Sequence, residues 1–390
     1  MLRRHFLALA PQAGALSTLA FSPALFSNAY AQEGVNTKTI NIGCSGALTG
    51  PLAAAGLSIK MGVEAAMMEI NAKGGVRGRQ LQFQLLDDAY VPQRTAENVK
   101  KMIADKGVFA LMSCIGTPNN AAIMPLIDEA GMPYLAPLTG ASSLRKPGSP
   151  GSNNVFHIRA SYTDETQRLM QQLLNMGIKD LGIVYLDNGF GKEILADANA
   201  ALQAKGARAV VQSALTTDGK NLNDVVNQVS AAKPAAVFIA TAGTASTSII
   251  AALKKSSPLM PIAGLSVALG ADSFKMLGAS LSGVAVAMVF PDHHRTSHQI
   301  VREYQAAMRA ANQSEYSAIS LEGYINTRVM AEGLDRAGPD LTRAKFKSAM
   351  ASMQKFNLGG FAVDYMGTSP YVGSRFVELG VLGSGGRFVG

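Results

Sequence analysis

The chain has 390 residues, a formal net charge of +8, and 16% charged against 48% hydrophobic residues, ample apolar material for large buried parallel sheets. Its basic residues are scattered, without a run of about five or six, which speaks against nucleic-acid binding. No segment beyond the amino-terminal region is long and apolar enough to span a bilayer, which takes about 20 uninterrupted apolar residues.

The first residues read as an export signal: Arg3 and Arg4, an apolar stretch from Phe6 to Phe26, and the small-x-small pattern Ala29-Tyr30-Ala31 before Gln32. Pro11, Gln12, Gly14 and Pro23 interrupt the stretch and make it a poor membrane helix. The paired arginines before His5, Phe6 and Leu7 also resemble a twin-arginine signal, so both export routes stay open. Cleavage after Ala31 would remove residues 1–31, leave 359 and lower the charge to +6. A chain of that length exceeds what one core usually organises, so two domains are expected. Cys44 and Cys114 lie far from the cleavage site, so no lipid anchor is expected. Each falls near the end of a strand; they could meet as a disulfide or sit as two buried thiols, the reading that the demanding disulfide geometry favours.

A regular alternation follows. Strands are predicted over Thr39–Cys44, Leu81–Asp87, Val108–Cys114 and Pro133–Ala136, and helices over Ala54–Lys73, Thr95–Asp105 and Thr117–Glu129. The first helix carries Ile59, Val63, Ala66 and Ile70 on one stripe and ends at Gly74-Gly75. A polar stretch from Lys146 to Asn154 interrupts the rhythm. Strands then resume at Asp180–Leu186, Arg208–Ala214, Ala235–Ala240, Pro261–Gly264 and Val284–Val289, with helices at Gly191–Lys205, Leu222–Ala232 and Thr244–Ser256. Helices at Ser297–Ala311, Ser317–Ala337 and Thr342–Met350 and a strand within Phe376–Leu382 complete the chain. Such a series demands parallel strands with helices on both faces, here in two doubly wound α/β lobes. Ligands bind open α/β sheets at the carboxyl ends of the strands, so a cleft should lie between the lobes.

Three segments place small and hydroxyl residues directly after strands: Cys44 to Pro51, including Ser45; Cys114 to Asn120, including Thr117; and Ala136 to Ser142, including Leu138, Thr139 and Gly140. Small residues admit a close backbone approach, hydroxyls donate hydrogen bonds, and the next helix start offers N–H groups to an anion such as a carboxylate. The same residues also suit ordinary strand-to-helix turns, with Thr117 as an N-cap.

The run Ile42-Gly43-Cys44-Ser45-Gly46-Ala47-Leu48-Thr49-Gly50-Pro51, then Asn71 to Gly78, Asp87-Asp88-Ala89, Asp128 to Pro133, Val184 to Asp187 and Phe190-Gly191, resembles the leucine/branched-chain amino-acid type of periplasmic binding protein. The resemblance implies two hinged lobes of the type I fold: lobe 1 from 38–159 and 288–366, lobe 2 from 160–287 and 367–390. It implies a monomeric, non-enzymatic receptor without metal or cofactor that passes a small solute to an ABC permease of the inner membrane. Ser45, Thr117 and the Leu138-Thr139-Gly140 loop would hold the solute's carboxylate. Ala55, Phe190 and Ala242 stand where tyrosines are common in the family. Ser266 stands where an acid pairs with a ligand ammonium, which points toward an organic or aromatic acid unless a carboxylate such as Asp272 substitutes.

The enzyme readings are thin. Gly264-Leu265-Ser266-Val267-Ala268 lacks the second glycine of a nucleophile elbow, leaving a secreted hydrolase using Ser266 as the alternative. Asp292, His293, His294 and His298 lack the glutamate of a metalloprotease motif and sit at a loop marked by Pro291. His157 reads as a hydrogen-bonded strand residue. Adjacent Asp87 and Asp88 should face opposite sides of a strand and cap turns or face the hinge. No phosphate-binding or dinucleotide fingerprint is present.

Overall fold

The computed structural model describes residues 33–384 and 387–389; the expected signal segment lies outside the described residues. The first lobe opens with β1 (Thr39–Gly46), α1 (Ala53–Ala72), β2 (Gln80–Asp87), α2 (Pro92–Ala104), β3 (Ala110–Met112), α3 (Thr117–Glu129), β4 (Tyr134–Leu135) and β5 (Val155–His157). The second continues with α4 (Tyr162–Asn175), β6 (Asp180–Leu186), α5 (Gly189–Gln203), β7 (Arg208–Leu215), α6 (Leu222–Ala232), β8 (Ala236–Ala240), α7 (Gly243–Ser256), β9 (Ile262–Gly264), α8 (Ala271–Leu277) and β10 (Val284–Met288). The chain returns through α9 (Gln299–Ala310), α10 (Ala318–Ala337), α11 (Arg343–Ala351), the small hairpin of β11 (Phe356–Asn357) and β12 (Ala362–Val363), then β13 (Tyr371–Val372), β14 (Glu378–Leu382) and β15 (Phe388–Val389).

Two sheets result, in the order β13-β5-β4-β3-β1-β2 and β15-β14-β10-β9-β8-β6-β7. The first is wholly parallel; the second is parallel from β7 to β10 and closed by antiparallel β14 and β15. Side chains alternate across a strand. Accordingly Ala110, Met112, Leu135 and Phe156 pack with α1, α9, α10 and α11, whereas Leu111, Tyr134 and Val155 face α2 and α3. Both faces are therefore covered, as the near-continuous apolar strands require. The sheets are joined by the β5–α4, β10–α9 and β13–β14 connections. The last crossing follows Val372, because β13 pairs with β5 in the first sheet.

Most predicted elements are present with ends shifted by a few residues. The second helix starts at Pro92 rather than Thr95, since proline lacks an N–H and fits a first turn. The sequence reading lacks α4 and α8. In α4 the polar Asp164, Gln167, Arg168, Gln171 and Gln172 dilute the apolar stripe, and the helix start is instead set by a Ser161–Asp164 capping box. Cys44 and Cys114 are free, buried thiols; Cys44 Sγ donates to the Ser113 carbonyl and Cys114 Sγ accepts from the Ser45 N–H, each at 3.4 Å. Among the described residues no helix is long and apolar enough to cross a membrane.

Candidate ligand-binding site

A cavity, partly open to solvent, lies between the lobes. One wall comes from Leu52, Ala55, Tyr90, Thr117, Leu138 and Ile319, the other from Tyr162, Phe190, Ala242, Val267 and Asp272. Tyr90, Thr117 and Leu138 follow β2, β3 and β4, while Tyr162, Phe190, Ala242 and Val267 follow β5, β6, β8 and β9. The cavity thus forms where the carboxyl ends of two parallel sheets face each other.

Thr117 opens α3, whose N-cap is Gly116 and which no side chain caps. The expected N-cap role of Thr117 therefore passes to Gly116, and the Thr117 hydroxyl lies 2.7 Å from that of Thr139. Thr139 is fully buried, accepts from the Ala141 N–H at 3.2 Å and braces Thr117 from behind. Gly140 likewise lies beneath the wall: its carbonyl accepts from the Tyr162 N–H at 2.7 Å, and a Cβ there would come within 2.7 Å of the tyrosine ring. Phe190 meets Tyr162 edge-on, with centroids 5.2 Å apart. Ser45 is buried away from the cavity, donating to Asp88 Oδ2 at 2.9 Å and accepting from Asn98 Nδ2 at 3.0 Å.

The two tyrosines are absent from the sequence reading. Ala89 and Tyr90 both have positive φ, 50° and 64°, a conformation that costs a non-glycine residue roughly 1–2 kcal/mol. The neighbouring aspartates hold it: Asp87 Oδ1 accepts from the Ala89 N–H at 3.0 Å and Asp88 Oδ1 from the Tyr90 N–H at 2.9 Å. Asp88 Oδ2 also accepts from the Thr95 hydroxyl at 2.9 Å. Asp87 further takes the Leu48 and Thr49 N–H groups at 2.7 and 3.1 Å; partial burial raises its pKa, but the hydrogen bonds from Thr49, Ala89 and Leu48 win and set it at about 2. The Tyr90 ring then lies where a Gly116 Cβ would be, 2.3 Å away. Both carboxylates do turn work, Asp87 at the end of β2 and Asp88 just beyond it.

Ser266 lies beside the cavity rather than on it. Its N–H and hydroxyl donate to the Glu165 carboxylate at 2.7 and 3.1 Å, and its Oγ accepts from Arg159 Nη2 at 2.8 Å. Glu165 brings a carboxyl from α4 to the place where the sequence registers a lost acid. Burial raises its pKa, against Arg159 and the Ser266 bonds. Arg159 Nε is 3.5 Å from Glu322 Oε1, and Arg145 donates to the Arg159 and Thr139 carbonyls, each at 2.9 Å. Burial pushes Glu322 up to about 7 despite Arg159, and burial followed by the Arg159 charge lowers Arg145 to about 10.

Nothing in this arrangement supports the hydrolase alternative. Ser266 does not adopt the strained positive φ of an elbow serine, and its hydroxyl partners are a carboxylate and a guanidinium rather than an imidazole. His157 is a buried strand residue in β5, held neutral by burial and by Arg145. His294 precedes α9 and His298 occupies its N-cap, so the two share no helical face. No cluster of metal-ligating residues occurs among the described residues.

Two parallel α/β lobes around an interlobe cavity, with loops from both lining it, define a solute-binding protein of the type I periplasmic class. Residues 39–369 match the model of the periplasmic binding protein family, and the chain belongs to it. It is 25% identical over 303 residues to the Leu/Ile/Val-binding protein BraC3 of Rhizobium johnstonii, spanning 77% of this chain and 80% of that protein. A substrate-binding periplasmic protein from Ralstonia solanacearum superposes with a TM-score of 0.84 at 27% identity, covering 90% of this chain and 99% of the other. A possible leucine/isoleucine/valine-binding protein from Rhodopirellula baltica gives 0.83 at 25% identity, covering 91% and 97%.

Proposed function

We propose that the chain is an exported, monomeric receptor that closes on a small carboxylate-bearing solute, chiefly an organic or aromatic acid, and delivers it to an ABC importer without chemically altering it. The observation that carries this reading is the braced Thr117 hydroxyl beside the uncapped start of α3, at the edge of a cavity that is apolar and aromatic apart from Asp272. Hydroxyl and helix-start N–H groups suit a carboxylate, while Leu52, Ile319, Tyr162 and Phe190 suit an apolar body. Closure follows if the ligand contacts both walls and so binds the closed form more tightly than the open one.

A second reading, a branched-chain amino acid, is favoured by Asp272 on the cavity wall and by the names of the relatives. It requires Asp272 to pair with the ammonium, because Glu165 is engaged by Ser266 and Arg159. Calorimetry against leucine, isoleucine and valine, and against 4-methylpentanoate, 3-phenylpropanoate and benzoate, decides between them. Tighter binding of the deaminated acids supports the first reading. Binding of the amino acids alone, lost in Asp272→Asn, supports the second. Failure of every acid in the panel to bind overturns the carboxylate-receptor reading.

A further inference from the structure

A second chamber, partly open to solvent, lies under the β10–α9 crossover. It shares Gly270 and Ile319 with the cleft cavity, so the two spaces have a wall in common. Its sides are mostly apolar, with Leu269, Phe274, Val286 and Phe290 prominent, yet Arg159 and Glu322 line it as well. Both charged side chains are almost wholly buried, at 2% and 3% exposure.

Their hydrogen bonding is incomplete. Arg159 Nη2 is bound to Ser266, but Nε and Nη1 are buried without a hydrogen-bond partner. Glu322 faces Nε at 3.5 Å in an ion pair. Buried donors and acceptors of charged groups are costly to leave unmade, and orphaned ones commonly mark a missing partner.

We propose that the chamber receives the far end of the cleft ligand and selects a neutral terminal group that both accepts and donates hydrogen bonds, a hydroxyl or primary carboxamide held between the Arg159 guanidinium and the Glu322 carboxylate. This rests on the carboxylate reading of the cleft. Above the Glu322 value of about 7 the surrounding charges select a neutral group: a second carboxylate would face Glu322 and Asp292, whereas an ammonium would face Arg159 with Arg145 beyond it. His293, also on the wall, adds no charge at neutral pH, because burial and then His294 lower its pKa to about 4. A group that accepts from Arg159 and donates to Glu322 satisfies the unpartnered guanidinium and engages the acid at once.

The test is calorimetry of the native protein at pH 8, where Glu322 is mostly ionised, with 3-phenylpropanoate and its para-hydroxy, para-carbamoyl and para-carboxy derivatives. The hydroxy and carbamoyl acids should bind about tenfold or more tighter than the parent, and the para-carboxy acid about tenfold weaker. In Glu322→Gln the gain should shrink and the para-carboxy penalty should relax; the wild-type series stands alone should that variant not fold. Equal affinities across the para series would overturn the chamber proposal while leaving the carboxylate reading intact. Binding of short acids with rejection of the whole aryl series, or a crystal of the para-hydroxy complex showing only water in the chamber, would also overturn it. Failure of the aryl series and of the shorter acids alike would overturn both.

Discussion

The Pro51 carbonyl in the β1–α1 loop accepts a hydrogen bond from the Thr244 N–H at the start of α7, 3.2 Å across the mouth of the cleft. Its neighbour Gly243 has φ +60°, and a Cβ there would lie 2.3 Å from the same carbonyl oxygen. Gly243→Ala should therefore obstruct closure. We expect about tenfold or weaker ligand binding, because a closed form that is harder to reach lowers apparent affinity by its lost population. The unliganded protein should lose only about 1–2 kcal/mol, from the left-handed backbone. Calorimetry and urea unfolding of the same variant separate the two effects.

Thr117→Ala should weaken carboxylate binding by about 1–3 kcal/mol, the usual cost of losing a hydrogen bond to a charged group. Thr117→Ser should retain most of the affinity, since it keeps the hydroxyl next to Thr139. Equal affinity of wild type and the alanine variant would remove Thr117 from the ligand's surroundings.

Asp88 is fully buried and serves Ser45, Tyr90 and Thr95 together. Asp88→Ala should cost about 2–4 kcal/mol in urea unfolding by leaving several buried partners unpaired. It should also weaken binding by releasing the left-handed turn that seats Tyr90. Asp87→Ala, at a more exposed position, should cost less stability.

Glu322 gives a pH dependence of definite sign. Its ordinary pKa is 4.5, and burial pushes it up to about 7 in the folded chain. Between those values the native state holds a proton that the unfolded chain has released, so this group's contribution to stability falls as pH rises from 4.5 to about 7 and is flat outside that window. Relative to wild type, Glu322→Gln should gain about 1–3 kcal/mol on going from pH 4 to pH 8. The comparison is read from urea unfolding at the two pH values; parallel curves for the two proteins would contradict it. Glu165, also raised by burial, adds the same sign in both proteins.

The sequence conveyed the doubly wound architecture because strands and helices alternate with clear apolar periods, and α3 carries the predicted bounds Thr117–Glu129. Thr117 and Leu138 line the cleft in loops that follow strands, which is the signal the sequence carries for them, whereas Phe190 and Ala242, also on its wall, are indicated only by the family resemblance. The hidden part depends on the third dimension. Tyr90 reaches the cavity through two successive positive-φ residues that no propensity anticipates. Glu165 looks like an ordinary first-turn acid of α4, and its bond to Ser266 spans 101 positions. Arg159 and Glu322 come together across the crossovers, where local pattern carries no information.

The three crossings of the chain impose an order on assembly. The first sheet cannot be finished until β13 has joined β5, and the second waits for β14 to pair with β10. A polypeptide emerging from its amino end would thus lack the edge strand beside β5 and the closing pair beside β10 until almost its last segment arrived. Unpaired β5 and β10 edges invite aggregation until then, so the segment from Tyr371 onward matters to solubility as well as to the final fold.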